Sequence, residues 1–362
     1  MDLRPVLQQV DRRPQEVRTP GSLWPDIRRL LVVRHDRLGD VVLSLPAVAA
    51  LREAYPHALL ALMVRPANVP LARCVGGVDE VIEFTGDAGE LRTRMLGLRP
   101  DLLVCISRTP AVAKAAWRAG VRHRLGPGFR LYSPLFERRV DEHRRRGERH
   151  ELEYAMSFAH CAGAVPCPAR FPLRVPPTEE QAARDWLSER KLDMPFVVIH
   201  PGSGGSCPAW PVERFVALAS LLTAAGTPVV YSVGPVDHEV AGRVRGEAGE
   251  ATLCFEGDLP ALTALLSRAA LVISNSTGPL HLAAALGRPT LALHAPWRSC
   301  GVSRWGPYAE NGWGLAVDHP DALRWSHRER RQRAAEMMAA IPAECVRDCA
   351  LDMLAGRSPR VR

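Results

Sequence analysis

Leu271-Val272-Ile273-Ser274-Asn275-Ser276-Thr277-Gly278-Pro279-Leu280-His281-Leu282-Ala283-Ala284-Ala285-Leu286-Gly287 reads as a buried strand, a tight polar turn and an apolar helix stopped by glycine. Ser276 or Thr277 is placed to cap that helix, and Gly278 lets a ligand come close to the backbone. The first-turn N–H groups of such a helix have no intrahelical partner. Together with the helix dipole they suit a phosphate or diphosphate. The stretch therefore points to an α/β fold with an anion site at the carboxyl end of a strand.

Working outward, the same rhythm recurs on both sides. Upstream come the strand Phe196–Ile199, a loop over residues 200–211, a helix at 212–225, the strand Val229–Val233, a helix at 238–248, a short strand at 252–255 and a helix at 259–269. Downstream, Pro289–Leu293 is the last clear strand. An earlier series starts at Leu30–Val33. It continues with a helix over 41–54 that contains Pro46, strands at 59–64, 78–84 and 102–106, and helices at 88–96 and 111–119. Prolines 166, 168, 172, 176 and 177 mark residues 165–178 as a linker between the two series. Strands alternating with helices predict parallel sheets covered on both faces.

The expected organisation is a polar leader over 1–27, a Rossmann-like domain over 28–170, a second over 171–325 and a basic helical tail over 326–362. A ligand cleft is expected between the two domains. A chain of 362 residues is long enough for two cores.

Composition narrows the function. Apolar residues make up 47% and charged residues 24%, which is ordinary for a globular protein. No run reaches the roughly 18 apolar residues of a membrane span, and residues 1–29 lack a signal-peptide core, so a cytoplasmic location is expected. The nine cysteines then read as buried thiols, and none sits at zinc-site spacing, so no metal is expected. The net charge of +8 is carried almost wholly by arginine, only Lys114 and Lys191 being lysines. Such a surface suits phosphorylated sugars or a peripheral contact with an anionic membrane. No nucleic-acid motif accompanies it.

Three loops follow strands and carry the candidate chemistry. In Arg34–Asp40, Gly39 permits a tight turn, and Asp40 could take a proton from a hydroxyl. On spacing alone Asp40 reads more readily as the cap of the helix at Val41. In His200–Ser206, Gly202, Ser203 and Gly204 offer backbone amides to phosphate oxygens. No Gly-Lys-Ser/Thr follows, so this is not a Walker loop. In the third loop, Ser276–His281, His281 could bond a diphosphate or remain a core histidine, and alone the core role is favoured. The first strand lacks Gly-x-Gly-x-x-Gly and there is no Gly-x-Ser-x-Gly, which leaves dehydrogenase and hydrolase readings unsupported.

Taken together, the three loops resemble glycosyltransferase family 9, the ADP-heptose:lipopolysaccharide heptosyltransferases. The matching pieces are Arg37-Leu38-Gly39-Asp40-Val41-Val42-Leu43 with Leu45-Pro46-Ala47; His200-Pro201-Gly202-Ser203 with Trp210-Pro211 and Glu213-Arg214-Phe215; and Ser274–Gly287 with Arg304-Trp305-Gly306-Pro307. The resemblance spans roughly residues 28–310. It implies a GT-B fold of two facing Rossmann-like domains. It also implies inverting, metal-independent transfer with no cofactor, the nucleotide sugar being a substrate.

Asp40 would be the base, with Arg37 and Gly39 on the acceptor or phosphate side. Gly202, Ser203, Gly204, Ser276, Thr277, Gly278, Pro279 and His281 would hold the donor, and Glu239 and Gly257 are added on that side. The implied partners are ADP-heptose and a lipopolysaccharide core acceptor. Two positions depart from the family pattern. Pro208 stands where a lysine is common, and Ser276 where an aspartate is. Arg214, Arg298 or Arg304 could supply the lysine's charge. The alternatives are a nucleotide-sugar-binding protein without efficient transfer, a protein O-heptosyltransferase, and a sugar-nucleotide epimerase.

Overall fold

The computed structural model describes residues 3–12, 23–142, 144, 147–192, 194–205, 207–234, 237–248 and 252–361. The chain divides into two units. One takes in Arg13–Arg144 and Glu151–Arg174, the other Met1–Arg12, Arg145–His150 and Val175–Arg362.

The first described strand, β1 (Arg4–Gln8), belongs to the second unit and is taken up there. The first unit is built on a six-stranded, all-parallel sheet. Its strands are β2 (Arg29–Val33), β3 (Leu59–Val64), β4 (Glu80–Glu83), β5 (Leu102–Cys105), β6 (His123–Pro127) and β7 (Arg138–Val140). Their order across the sheet is β4-β3-β2-β5-β6-β7. The helices are α1 (Leu38–Val42), α2 (Leu45–Ala54), α3 (Val69–Ala72), α4 (Ala88–Leu98), α5 (Pro110–Arg118) and α6 (Glu151–Cys161). The central strands β2 and β5 are apolar runs buried on both faces, as a parallel sheet covered by helices requires.

The single helix expected over 41–54 is two helices. Pro46 falls in the first turn of α2, where its missing N–H costs nothing, so the chain breaks at Ser44 and restarts. β6 and β7 were not foreseen. His123-Arg124-Leu125-Gly126-Pro127 and Arg138-Arg139-Val140 have no apolar run to read, and they pair at the outer side of the sheet. Part of the proline-rich stretch is pinned to this unit: Arg174 N–H donates to Cys74 O at 2.9 Å, and Leu173 bridges Val75.

The second unit has a seven-stranded sheet made by β1, β8 (Val197–His200), β9 (Val229–Val233), β10 (Cys254–Glu256), β11 (Leu271–Asn275), β12 (Thr290–His294) and β13 (Gly312–Asp318). The order is β1-β13-β12-β11-β8-β9-β10. All neighbours are parallel except β1 and β13. The helices are α7 (Pro177–Glu189), α8 (Val212–Ala224), α9 (His238–Ala248), α10 (Leu259–Arg268), α11 (Gly278–Ala285), α12 (Val302–Trp305), α13 (His327–Ala339) and α14 (Ala343–Leu354).

Two expectations need correction here. Residues 1–27 are not simply a leader, because β1 pairs in register with β13 from Arg4↔Asp318 to Gln8↔Gly314. Pro5 is tolerated because β1 is an edge strand. Residues 13–22 of the expected leader lie outside the described residues. Pro289–Leu293 is not the last strand either. β13 was hidden by its glycines, which close approach demands: a Cβ on Gly314 would lie 2.5 Å from Val302. The expected basic tail contains α13 and α14, and α14 is part of this unit's core. Val346, Cys349 and Ala350 of α14 are fully buried, and α14 packs on α8.

Candidate functional site

In the first unit, the carboxyl ends of β2, β3 and β5 lie side by side and their loops are stitched together. After β2 the backbone N–H of His35 donates to Ser107 Oγ at 3.0 Å, and Ser107 Oγ donates to Asp36 at 2.5 Å. Asn68, after β3, donates to Asp36 O at 3.2 Å. These contacts hold the loop that leads into α1.

Asp40 is not a helix cap. α1 begins at Leu38, and Arg37 occupies the N-cap position without a side-chain bond, so Asp40 lies inside the first turn. Its carboxylate accepts from Arg34 Nη2 at 2.7 Å, and its carbonyl accepts from Arg34 Nε at 3.2 Å and from Ser44 Oγ at 2.8 Å. Arg34 is 1% exposed, whereas the Asp40 side chain keeps 21% of its surface open. The same Nη2 donates to Glu151 Oε1 at 3.1 Å, and Arg144 Nη1 donates to that oxygen at 2.9 Å. Two arginines and three carboxylates thus form one cluster, Asp36 lying 3.4 Å from Arg34 Nε.

Burial raises the Asp40 carboxyl above the ordinary aspartate range, against the pull of Arg34 and with the push of Asp36 and Glu151. Burial opposes the charge of Arg34, but Asp40, Asp36 and Glu151 outweigh it and hold the guanidinium firmly protonated. A carboxylate that is oriented, part-open and more basic than usual is suited to accept a proton from a hydroxyl. Gly39 is buried beside it in α1, and Arg37 is exposed at the mouth of the loop. Asp40, Gly39 and Arg37 were singled out in the sequence; Arg34, the partner of Asp40, was not, although its six-residue spacing from Asp40 was visible. Nothing local pointed to Glu151 or Arg144.

In the second unit, the loops after β8, β9, β10, β11 and β12 leave the same edge of the sheet, because these strands run parallel. Every donor-side residue read from the sequence lies there. Gly202, Ser203 and Gly204 follow β8, with Gly204 and Gly205 in the left-handed region at φ of 52° and 71°. Glu239 is exposed in the first turn of α9, and Gly257 joins β10 to α10. Ser276 and Thr277 link β11 to α11, which Gly278 and Pro279 open.

Thr277 occupies the N-cap position, yet its hydroxyl lies 3.0 Å from Ser274 Oγ and makes no capping bond. The first-turn amides of α11 are therefore left to other acceptors. His281 is 3% exposed within α11, its ring 6.2 Å from that of Trp305. Of the arginines considered for the lysine's charge, Arg298 is exposed on the loop after β12, Arg214 lies at the start of α8, and Arg304 lies in α12 over the Trp305 ring.

Three features of this edge were not read from the sequence. Asn275, 1% exposed, accepts from Trp210 N–H at 2.8 Å and donates to Pro201 O at 2.9 Å and Gly202 O at 3.4 Å. It fastens the glycine-rich loop to β11. The Asp237 carboxylate accepts from Gly234 N–H at 3.2 Å and fills the space that a Cβ on Gly202 would need. Cys207 and Cys300 are bonded, with Cα atoms 5.8 Å apart, and join the glycine-rich loop to the loop after β12. The expectation of nine thiols is corrected for this pair. The two are 93 residues apart in sequence, and the parallel strands bring their loops together.

Asn275→Ala would remove three hydrogen bonds at a buried site, at a cost of about 1–3 kcal/mol. We expect the denaturant midpoint of the second unit to fall accordingly, because the glycine-rich loop is no longer tied to β11.

The glycosyltransferase family 9 (heptosyltransferase) model matches residues 108–333, more than half of the chain. The chain belongs to glycosyltransferase family 9. Lipopolysaccharide heptosyltransferase 2 of Escherichia coli K12 is 27% identical over 289 residues, 74% of this chain and 83% of that protein. Among solved structures, a family 9 glycosyltransferase from Veillonella parvula superposes with a TM-score of 0.77 at 20% identity, covering 91% of this chain and 97% of its own. The E. coli ADP-heptose lipopolysaccharide heptosyltransferase II superposes with a TM-score of 0.74 at 21% identity, covering 91% and 99%. At such identities the likeness speaks for the fold, which is the GT-B type foreseen from the family 9 motifs.

Proposed function

We propose that this family 9 chain is an inverting, metal-independent glycosyltransferase that moves a heptose from ADP-heptose to a lipopolysaccharide inner-core acceptor. The observation that carries the reading is the Asp40 carboxylate, held by buried Arg34 at 2.7 Å yet partly open. The E. coli relatives named for heptose transfer support the choice of sugar and acceptor.

The acceptor hydroxyl attacks the anomeric carbon from the face opposite the diphosphate. Asp40 takes the hydroxyl proton as the new C–O bond forms. The bond between the anomeric carbon and the phosphate oxygen breaks, and ADP leaves with the electron pair. Amides of the Gly202–Gly205 loop and of the α11 start are suited to the charge that grows on the diphosphate. An arginine such as Arg298 would supply the charge of the family lysine lost at Pro208. Glu239 and Gly257 line the donor side. The basic surface supports a peripheral contact with the cytoplasmic face of an anionic membrane. No helix among the described residues is long and apolar enough to cross one.

The direct test is ADP release by purified protein given ADP-heptose and deep-truncated lipopolysaccharide. Pro208 favours one second reading, a donor-binding protein without efficient transfer. ADP-heptose that binds tightly but is never turned over would select it.

A further inference from the structure

The cluster around Asp40 contains a carboxylate that the proposed reaction does not use. Glu151 opens α6, 117 residues from Arg34, and its side chain is 2% exposed. One of its oxygens lies 3.1 Å from Arg34 and 2.9 Å from Arg144. Arg34 Nη2 is divided between this oxygen and the Asp40 carboxylate at 2.7 Å. The guanidinium that orients Asp40 is therefore shared with a second anion, and that anion is itself shared with a second cation.

We infer that Glu151 is a positioning residue for Asp40, acting through Arg34, and that Arg144 balances it. The inference rests on the reading of Asp40 as the base. The charged groups facing Asp40 are Arg34 and Asp36 from the loop after β2, Arg144 from the segment after β7, and Glu151 from α6. His35 stands beside Asp36, and Arg108 faces Arg144.

The signs of the two outer groups are opposite. The Glu151 charge disfavours ionised Asp40, and the Arg144 charge favours it. Glu151→Gln keeps an oxygen for both arginines but removes the negative charge. More of the Arg34 charge then acts on Asp40, whose proton affinity falls. Arg144→Gln leaves Glu151 with less neutralisation, so it draws harder on Arg34 and repels Asp40 more. The proton affinity of Asp40 then rises.

The test uses the full chain labelled with carboxyl-13C aspartate. The Asp40 resonance is assigned by its loss in Asp40→Asn, and its titration is followed by NMR. We expect the midpoint to move down by about one pH unit in Glu151→Gln, a tenfold loss of proton affinity, and up by a similar amount in Arg144→Gln. Arg144→Lys should restore the wild-type midpoint. The acid limb of kcat in the ADP-release assay should follow the same shifts, because protonated Asp40 cannot accept the hydroxyl proton.

A cluster that only props up the fold would leave the midpoint in place or move it the same way in both variants, and either result overturns the inference. Should Glu151→Gln fail to fold, the upward shift in Arg144→Gln and its rescue by lysine still decide the matter. Midpoints that shift as stated while the kcat limb stays fixed would uphold the cluster and remove Asp40 from its role as base.

Discussion

Asp40→Asn should lower kcat for ADP release about a thousandfold and leave ADP binding within about twofold of wild type. The substitution keeps an oxygen for Arg34 Nη2, so the 2.7 Å contact and the fold of α1 have little reason to change. What it removes is the basic lone pair. General-base assistance is expressed only when the hydroxyl proton is in flight, so the loss falls on kcat rather than on ground-state binding. The residues proposed to hold the donor belong to the other unit, so ADP titrated calorimetrically serves as the internal control. Turnover that survives in Asp40→Asn would show that another group takes the proton.

The second large effect is on stability. Arg34→Met should destabilise the first unit by about 3–5 kcal/mol. The side chain is 1% exposed and serves two carboxylates and a carbonyl. Methionine fills much of the volume but removes the cation that Asp40 accepts from directly and that Glu151 shares with Arg144. Arg34→Lys should recover only part of the loss. A single ammonium does not reproduce the fork that reaches Asp40 O, Asp40 Oδ1 and Glu151 Oε1 together. In denaturant, a transition assigned to the first unit should move to lower concentration while that of the second stays put. Equal shifts in both would mean that the cost is not local.

What could be read from the sequence, and what could not, follows from how local each signal is. β2, β5, β8, β11 and β12 were legible because strands of a parallel sheet buried on both faces are unbroken apolar runs. β6, β7 and β13 were not. Their residues are chosen for edge pairing or close approach, as Gly314 against Val302 shows. The three loops were visible as motifs, and parallel topology explains why those of the second unit meet at one sheet edge. Asn275 sat in the stretch that settled the fold type, but its amide points back to a loop 74 residues earlier. Glu151 and the Cys207–Cys300 bond have no local signature at all. Each is created by bringing together segments that the sequence keeps about a hundred residues apart.

The pairing of β1 with β13 also bears on the order in which the protein is made. During synthesis Arg4–Gln8 leaves the ribosome long before Gly312–Asp318, the strand it pairs with in the sheet. The intervening first unit has every one of its strands and can assemble meanwhile, since domains fold as units as they emerge. The second sheet has no such freedom, and closing the long loop between β1 and β13 comes late. Until then the flank of β13 is a bare hydrogen-bonding edge, the kind of surface on which nascent chains associate wrongly. Fusions placed ahead of Arg4, or chains trimmed past Gln8, should therefore lower the soluble yield.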